Sequence, residues 1–334
     1  MEKRKCGQSD IEISVLGIGC WSYGGGDEDY WGLQDQKDVD AVVHKALDYG
    51  INYFDSAEAY NQGRSEESLG KALKGRRHEA VIGTKISPSN TQPSVLREHC
   101  DASLARLQTD YIDIYIVHWP ITRHSVEDAF ATLEALKSEG KIRSVSVSNF
   151  GVNQLTEALA TGVRLDINQL CYNLLSRGIE VGILPLCQKN SIGILGYMPL
   201  LQGLLTGKYR TADDVPPMRS RTRHFRGDRP KSSHGGPGAE EETFREVNGI
   251  REIAKEIGIP MGQLSLAWAM VKPGITSMLV GTRNLDQLQD NVQSCSISLP
   301  PEIIKRLDDL TEPLLQAIGP NPDYYQGGDR VRIH

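Results

Sequence analysis

The chain reads as one α/β domain of the TIM-barrel class, a (β/α)₈ barrel, and three observations lead there. Short apolar runs alternate with amphipathic stretches along nearly all of its 334 residues, and counting from VLGIG there are eight such units. The second to seventh runs end in polar residues, as strands converging on one mouth would. The segment after the first run, GIGCWSYGGG, lacks the G-x-G-x-x-G spacing that an open dinucleotide-binding sheet carries there.

Each element follows in order. RKCGQSDIEIS suits a two-stranded hairpin turning between Gly7 and Asp10, a lid for the bottom of the barrel. VLGIG (15–19) is the first barrel strand, followed by a loop rich in glycine and aromatic residues and a helix across VDAVVHKALDYG that stops at Gly50. INYFD (51–55) precedes the helix SEESLGKALKG, where Ser65 is expected to cap and the glutamates suit the positive end. AVIGTK (80–85) leads to VLREHCDASLARL, YIDIYIVHW (111–119) to VEDAFATLEALKSEG, and IRSVSVSN (142–149) to a helix near VNQLTEALATG. LDINQL (165–170), a helix end at GILPLCQKN and SIGILGY (191–197) come next. A long irregular segment, 199–240, separates them from helices at 243–257 and 262–271 and from the last strand, ITSMLVG (275–281). PEIIKRLDDLTEPLLQAI forms an outer helix. The expected organisation is a single domain over 1–334 with its core at 11–318, a mobile loop at 199–240 and a tail from Gly319 to His334 that either folds over the mouth or frays.

Composition narrows the function. With 39% hydrophobic and 24% charged residues the chain can bury a substantial core. A net charge of −6 supplies no general basic surface for nucleic acid. Cys6, Cys20, Cys100, Cys171, Cys187 and Cys295 are dispersed, without metal-ligand spacing, and read as reduced thiols. No apolar run approaches the ~20 residues of a membrane span and MEKRKCGQSD is no signal peptide, so a cytoplasmic protein is expected.

The strand ends bring Asp55, Lys85, His118, Ser148, Asn149, Gln169 and Tyr197 to one opening, and Tyr60 lies on the loop beyond Asp55. A lysine inside the apolar run VIGTK is costly unless paired, and Asp55 is its natural partner. His118, between IYIV and WP, stands at the end of a buried run. A rim of solvated polar residues would explain any one of these; together they favour a functional cluster.

The stretches FDSAEAYNQGRSEESLGKAL, IGTK, RLQTDYIDIYIVHWP, GKIRSVSVSNF and GLLTGKY closely resemble the aldo-keto reductase superfamily over nearly all of residues 4–318. GCWSYGG and GLLTGKY look like the branch with bacterial general-stress reductases and potassium-channel β subunits. The resemblance implies reduction of aldehydes or ketones by a nicotinamide cofactor, with Tyr60 as general acid, Lys85 and Asp55 as its support and His118 on the substrate oxygen; no metal is needed. A phenol with an ordinary pKa near 10 exchanges protons poorly at neutral pH, so Lys85 is expected to favour the phenolate.

It further implies that Trp21, Asp55, Ser148, Asn149, Gln169 and Tyr197 hold the nicotinamide end, with Tyr197 stacked on the ring. Leu200, Gly203, Leu205 and Lys208 would meet the diphosphate, and Gly281, Arg283, Gln287 and Asn291 the adenosine. Arg283 suits a ribose 2′-phosphate and favours NADPH over NADH, although a lysine-serine pair and a later arginine of the aldose reductase branch are replaced here by Thr282, Arg283 and Gln287. The basic residues of 199–240, among them Arg219, Arg221, Arg223 and Arg229, read either as a solvated loop or as a lid over the cofactor phosphates.

Trp21, Tyr23, Trp31 and Trp119, with Tyr30, are candidate walls for a small carbonyl substrate, aromatic or extended in shape. The acidic DED at 27–29 is expected to disfavour anionic substrates. Two other functions share these residues: a nicotinamide-binding regulatory protein like the channel β subunits, and a dehydrogenase oxidising a sugar or polyol. The sequence shows no apolar stripe that would indicate an oligomer.

Overall fold

A computed structural model describes residues 1–334. Two short antiparallel strands, β1 (Lys3–Lys5) and β2 (Glu12–Ser14), form the N-terminal hairpin with Arg4 opposite Ile13. Eight parallel strands then close into a barrel: β3 (Leu16–Gly19), β4 (Tyr53–Asp55), β5 (Val81–Ile86), β6 (Ile112–Val117), β7 (Ile142–Ser148), β8 (Ile167–Cys171), β9 (Gly193–Tyr197) and β10 (Ile275–Gly281), with β10 paired to β3. The expected (β/α)₈ class is the observed one, and each expected run coincides with its strand, β5 and β8 continuing one residue beyond theirs, to Ile86 and Cys171.

Helices α1 (Gln36–Asp48), α2 (Arg64–Ala72), α3 (Pro93–Leu107), α4 (Val126–Ser138), α5 (Val152–Ala160) and α6 (Ile183–Lys189) follow the first six barrel strands in turn. Between β9 and β10 come α7 (Glu240–Ile257) and α8 (Met261–Val271), and α9 (Leu285–Gln293) and α10 (Pro301–Ile318) close the ring. The sequence reading did not assign α9, whose buried face is only Leu288 and Asn291. Asn284 caps it by accepting from the Gln287 N–H. No helix is long and apolar enough to cross a membrane.

Ser65 does not cap α2. Gly63, at φ 88°, turns the chain into the helix, and Ser65 lies one residue inside it with its hydroxyl donated to the Cys20 carbonyl at 2.7 Å. That bond ties the loop after β3 to the first turn of α2, which follows the turn that carries Tyr60.

The hairpin plugs the barrel bottom. Cys6, Ile11 and Ile13 are buried with Tyr53, Ile114, Ile116, Ile167, Leu195 and Leu279 in a small apolar cluster inside the strands. Arg4 fixes the plug from outside, donating to the carbonyls of Met270 and Ile275 at 2.8 and 2.7 Å. A much larger core lies between the strands and the helical ring.

The tail folds back and docks. Asp323, Tyr324 and Ile333 are buried, Arg332 pairs with Asp323 at 2.7 Å, and its guanidinium lies 3.7 Å from the Trp119 ring centre. The 199–240 segment contains two 3₁₀ turns, Leu201–Thr206 and Ala212–Asp214, and packs Phe225, His224 and Val215 into the body.

Candidate active site

Alternation along the strands builds the site. Side chains two apart face the same way, so the strand that sends Tyr53 into the plugged interior sends Asp55 to the mouth above it, and the Tyr53 hydroxyl reaches an Asp55 oxygen at 3.3 Å. Gly83 gives that ring its space, because a Cβ there would lie 2.2 Å from the Tyr53 hydroxyl. Two residues beyond Gly83, Lys85 is fully buried. It donates to Asp55 at 2.7 Å and to the Ser56 carbonyl at 2.6 Å, and reaches the Tyr60 hydroxyl at 3.3 Å. The Gln169 amide completes Asp55 from across the barrel at 2.8 Å.

The structure thus gathers Asp55, Tyr60, Lys85 and His118. The His118 ring meets Tyr60 edge-on, centres 5.7 Å apart. Burial holds the imidazole down at about 3, with help from the Lys85 charge, so it is neutral at ordinary pH. Burial pushes the Tyr60 phenol above its usual range, against the opposing pull of Lys85. Lys85 thus favours the phenolate, as expected, but the desolvation of a mouth phenol outweighs its cation. Asp55 in turn offsets the burial of Lys85, whose ammonium is held above its ordinary value and stays charged.

Ser148, Asn149 and Tyr197 form a rim network. The Ser148 hydroxyl donates to the Gln169 carbonyl, the Asn149 amide to Ser148 and to the His118 carbonyl, and the Tyr197 hydroxyl to Asn149 Oδ1 at 2.8 Å. Their hydrogens are thereby spent on fixing His118 and the Tyr197 ring. Gln169 keeps its Oε1 without a protein donor, and a side chain on Gly281 would meet no atom within 4 Å. A free amide acceptor, a fixed half-buried ring and open space fit a planar carboxamide-bearing ring and its extended remainder.

Other expected cofactor residues are spread along one side of the mouth. Leu200 is half-buried, Leu205 is buried in the large core, so only its backbone is available, and Lys208 is exposed with its ammonium beside Gly203. Arg283 donates from Nε to Gln34 Oε1 at 2.8 Å and from a terminal nitrogen to the Leu33 carbonyl, and its own N–H is capped by Gln287 at 2.9 Å. Asn291 is buried and donates to Thr282.

Among the substrate candidates, Trp21 stacks on Tyr60 at 5.7 Å and on Tyr30 at 5.0 Å, with Trp31 edge-on to both Trp21 and Tyr30. Trp119 follows His118 under the Arg332 guanidinium. Tyr23 is a correction: it is fully enclosed in the large core with its hydroxyl unpartnered, so it supports the loop from beneath and faces no substrate. Asp29 accepts from Arg64 and from the Gly26 N–H, both at 2.6 Å, which removes the most inward acid of DED from the mouth.

Sequence reasoning missed three supports. Asn61, at φ 49°, donates to the carbonyls of Trp21 and Tyr23 and pins the aromatic loop against Tyr60. Glu58 accepts from the Ser87 N–H, Asn90 and His99, tying the Tyr60 loop to the next one. Tyr325 reaches the mouth from the tail, touching Met198 and Gln202. An asparagine next to Tyr60 was a usable turn signal; nothing local marks Glu58 or Tyr325.

A closed barrel whose mouth holds a buried lysine-carboxylate pair beneath a tyrosine, with a neutral histidine beside it, defines a class of proton-handling enzymes built on strand ends. Residues 15–312 match the Aldo/keto reductase family, and the chain belongs to that family of oxidoreductases. It is 33% identical to an NADH-specific methylglyoxal reductase of Escherichia coli K12, over 90% of this chain and 95% of that one. It is 28% identical to an Arabidopsis thaliana protein named "Probable voltage-gated potassium channel subunit beta", over 98% and 100%. A crystal structure of an aldo/keto reductase from Klebsiella pneumoniae in complex with NADP and acetate superposes with a TM-score of 0.73, at 26% identity over 100% of this chain and 99% of that chain.

Proposed function

We propose that the protein reduces aldehydes or ketones to alcohols with NADPH, Tyr60 delivering the proton to the nascent alkoxide. The observation that carries this reading is the buried Lys85 ammonium, held by Asp55 at 2.7 Å and directed at the Tyr60 hydroxyl at 3.3 Å. A bound nicotinamide supplies the hydride for such a reaction. Gln169 and Tyr197 would hold its ring end, Lys208 the diphosphate side and Arg283 the 2′-phosphate, exchanging its Gln34 and Leu33 bonds for phosphate oxygens.

The protein's own residues do the rest. Burial keeps the Tyr60 phenol protonated at neutral pH, which is the form a general acid needs. The Lys85 charge, unable to relax into solvent, stabilises the phenolate left after proton transfer. Neutral His118 offers an N–H to the carbonyl oxygen, and the ring network of Trp21, Tyr30 and Trp31 excludes water from one side. In the reverse direction the same groups would serve alcohol oxidation.

Steady-state turnover of a panel of aromatic aldehydes, quinones and sugars, with NADPH and NADH side by side, tests the reading. Wild type should turn over and prefer NADPH, and Tyr60→Phe should lose about 10³-fold in kcat while still binding cofactor. The channel-subunit relative favours a second reading, a nicotinamide-binding regulatory protein. Tight cofactor binding by wild type with no turnover across the panel would favour it over the first.

A further inference from the structure

Two arginines of the long segment stand over the aromatic wall. The Arg219 guanidinium lies 5.6 Å from the Trp31 ring centre; that of Arg221 lies 5.3 Å from Tyr30 and 5.5 Å from Tyr325. Of the segment's other arginines, Arg210 is exposed and lies over no ring of the mouth, Arg226 pairs with Asp228, Arg229 with Asp213 and Glu240, and Arg223 donates to the carbonyls of Ile318 and Asn321. Arg219 and Arg221 pair with no carboxylate. Arg219 makes one bond, to the Tyr209 hydroxyl at 3.3 Å, and Arg221 donates Nε to the Met218 carbonyl at 2.9 Å, its terminal nitrogens lying by Tyr30 and meeting no charged acceptor. Tyr30 donates to the same carbonyl at 2.8 Å, which locks this basic turn onto the aromatic loop.

A half-buried guanidinium lying over a ring keeps its in-plane N–H groups free, and these match a carboxylate or phosphate. The rings beneath lead to the chemistry, since Tyr30 stacks on Trp21 and Trp21 on Tyr60. Asp29 is paired with Arg64, so of DED only the exposed Asp27 and Glu28 stand against the two unpaired guanidinium charges on this side of the mouth.

We propose that Arg219 and Arg221 form an anion subsite for the far end of the substrate: an extended or aromatic carbonyl compound bearing a carboxylate or phosphate several bonds from its carbonyl carbon. The body of such a compound lies along Trp21, Tyr30 and Trp31, with the carbonyl at Tyr60. This deepens the reductase reading and rests on it. The cofactor diphosphate offers the same anion chemistry, but the residues expected to meet it have their own cation in Lys208, beside Gly203, whereas the two arginines lie on Tyr30 and Trp31, the rings that pack against Trp21.

The test compares 3-(4-formylphenyl)propanoate with its methyl ester in wild type, R219Q, R221Q, the double variant and R221K. The acid-to-ester ratio of kcat/KM should be about tenfold in wild type at low salt, fall toward one in the double variant and in high salt, and be partly kept in R221K. Affinities for NADP⁺ and NAD⁺, read by fluorescence titration, should shift less than about twofold in the double variant, against the much larger change a lost diphosphate contact brings. Ester turnover reports on the reductase reading separately. Should neither compound turn over, quenching of tryptophan emission by the propanoate still reads the subsite, and it should weaken about tenfold in the double variant. An unchanged ratio, or unchanged quenching where there is no turnover, overturns the proposal; so does a parallel loss of cofactor affinity, which would assign the arginines to the diphosphate.

Discussion

The bottom and the mouth of the barrel are made by the same strands two residues apart, and they solve opposite problems. Below lie Tyr53, Gly83, Ile116, Ile167 and Leu195; above them, in the same strands or at their ends, come Asp55, Lys85, His118, Gln169 and Tyr197. The lower set needs only apolar volume, and the hairpin residues Ile11 and Ile13 supply what the strands leave unfilled. The upper set buries a full ion pair, which costs more than it returns unless every polar atom finds a partner. Here Lys85 has three, and Asp55 accepts from Lys85, Gln169 and Tyr53. Packing thus holds one end, and a satisfied charge network holds the other.

Breaking the network should therefore cost most. Lys85→Met strands a buried carboxylate, and we expect a loss of about 4 kcal/mol in urea unfolding together with collapse of turnover. If stability were unchanged, the pair would be screened by water and the contrast between the ends would fail. Ile13→Ala at the plug should cost about 2–3 kcal/mol by the same measurement while turnover at 25 °C stays within about twofold, since the cavity opens at the far end from Tyr60. An equal loss of activity would mean that the plug and the mouth are mechanically coupled.

How much of this was legible follows the same division. The barrel strands show in the sequence because buried parallel strands are apolar runs, and the mouth residues show because they are polar exceptions at the run ends: Asp55 in INYFD, Lys85 in VIGTK, His118 in IYIVHWP. The interruption is itself the signal. Ser65 misled because a helix-start serine looks the same whether it caps or bridges loops, and Gly63 had already set the turn. Tyr23 misled because an aromatic residue in a loop gives no sign of which way it faces. Tail docking depends on Asp323 meeting Arg332 and on Tyr324 entering the core, contacts across distant segments that no local pattern encodes. The Tyr60 phenol divides in the same way: the pull of Lys85 can be read from strand order, but the degree of burial that outweighs it belongs to the assembled mouth.

The pH dependence of kcat/KM for aldehyde reduction tests the central claim most directly, that proton transfer runs from a buried neutral phenol beside a neutral imidazole. The Tyr60 value is raised, so its acid form persists through neutrality, and His118, held at about 3, stays uncharged from well below pH 5 upward. Reduction should be flat between about pH 5.5 and 9 and fall only at higher pH, as the phenol ionises. A step centred near pH 6.5 that disappears in His118→Asn would show that the imidazole titrates during the reaction, contradicting the account of a mouth shaped by burial.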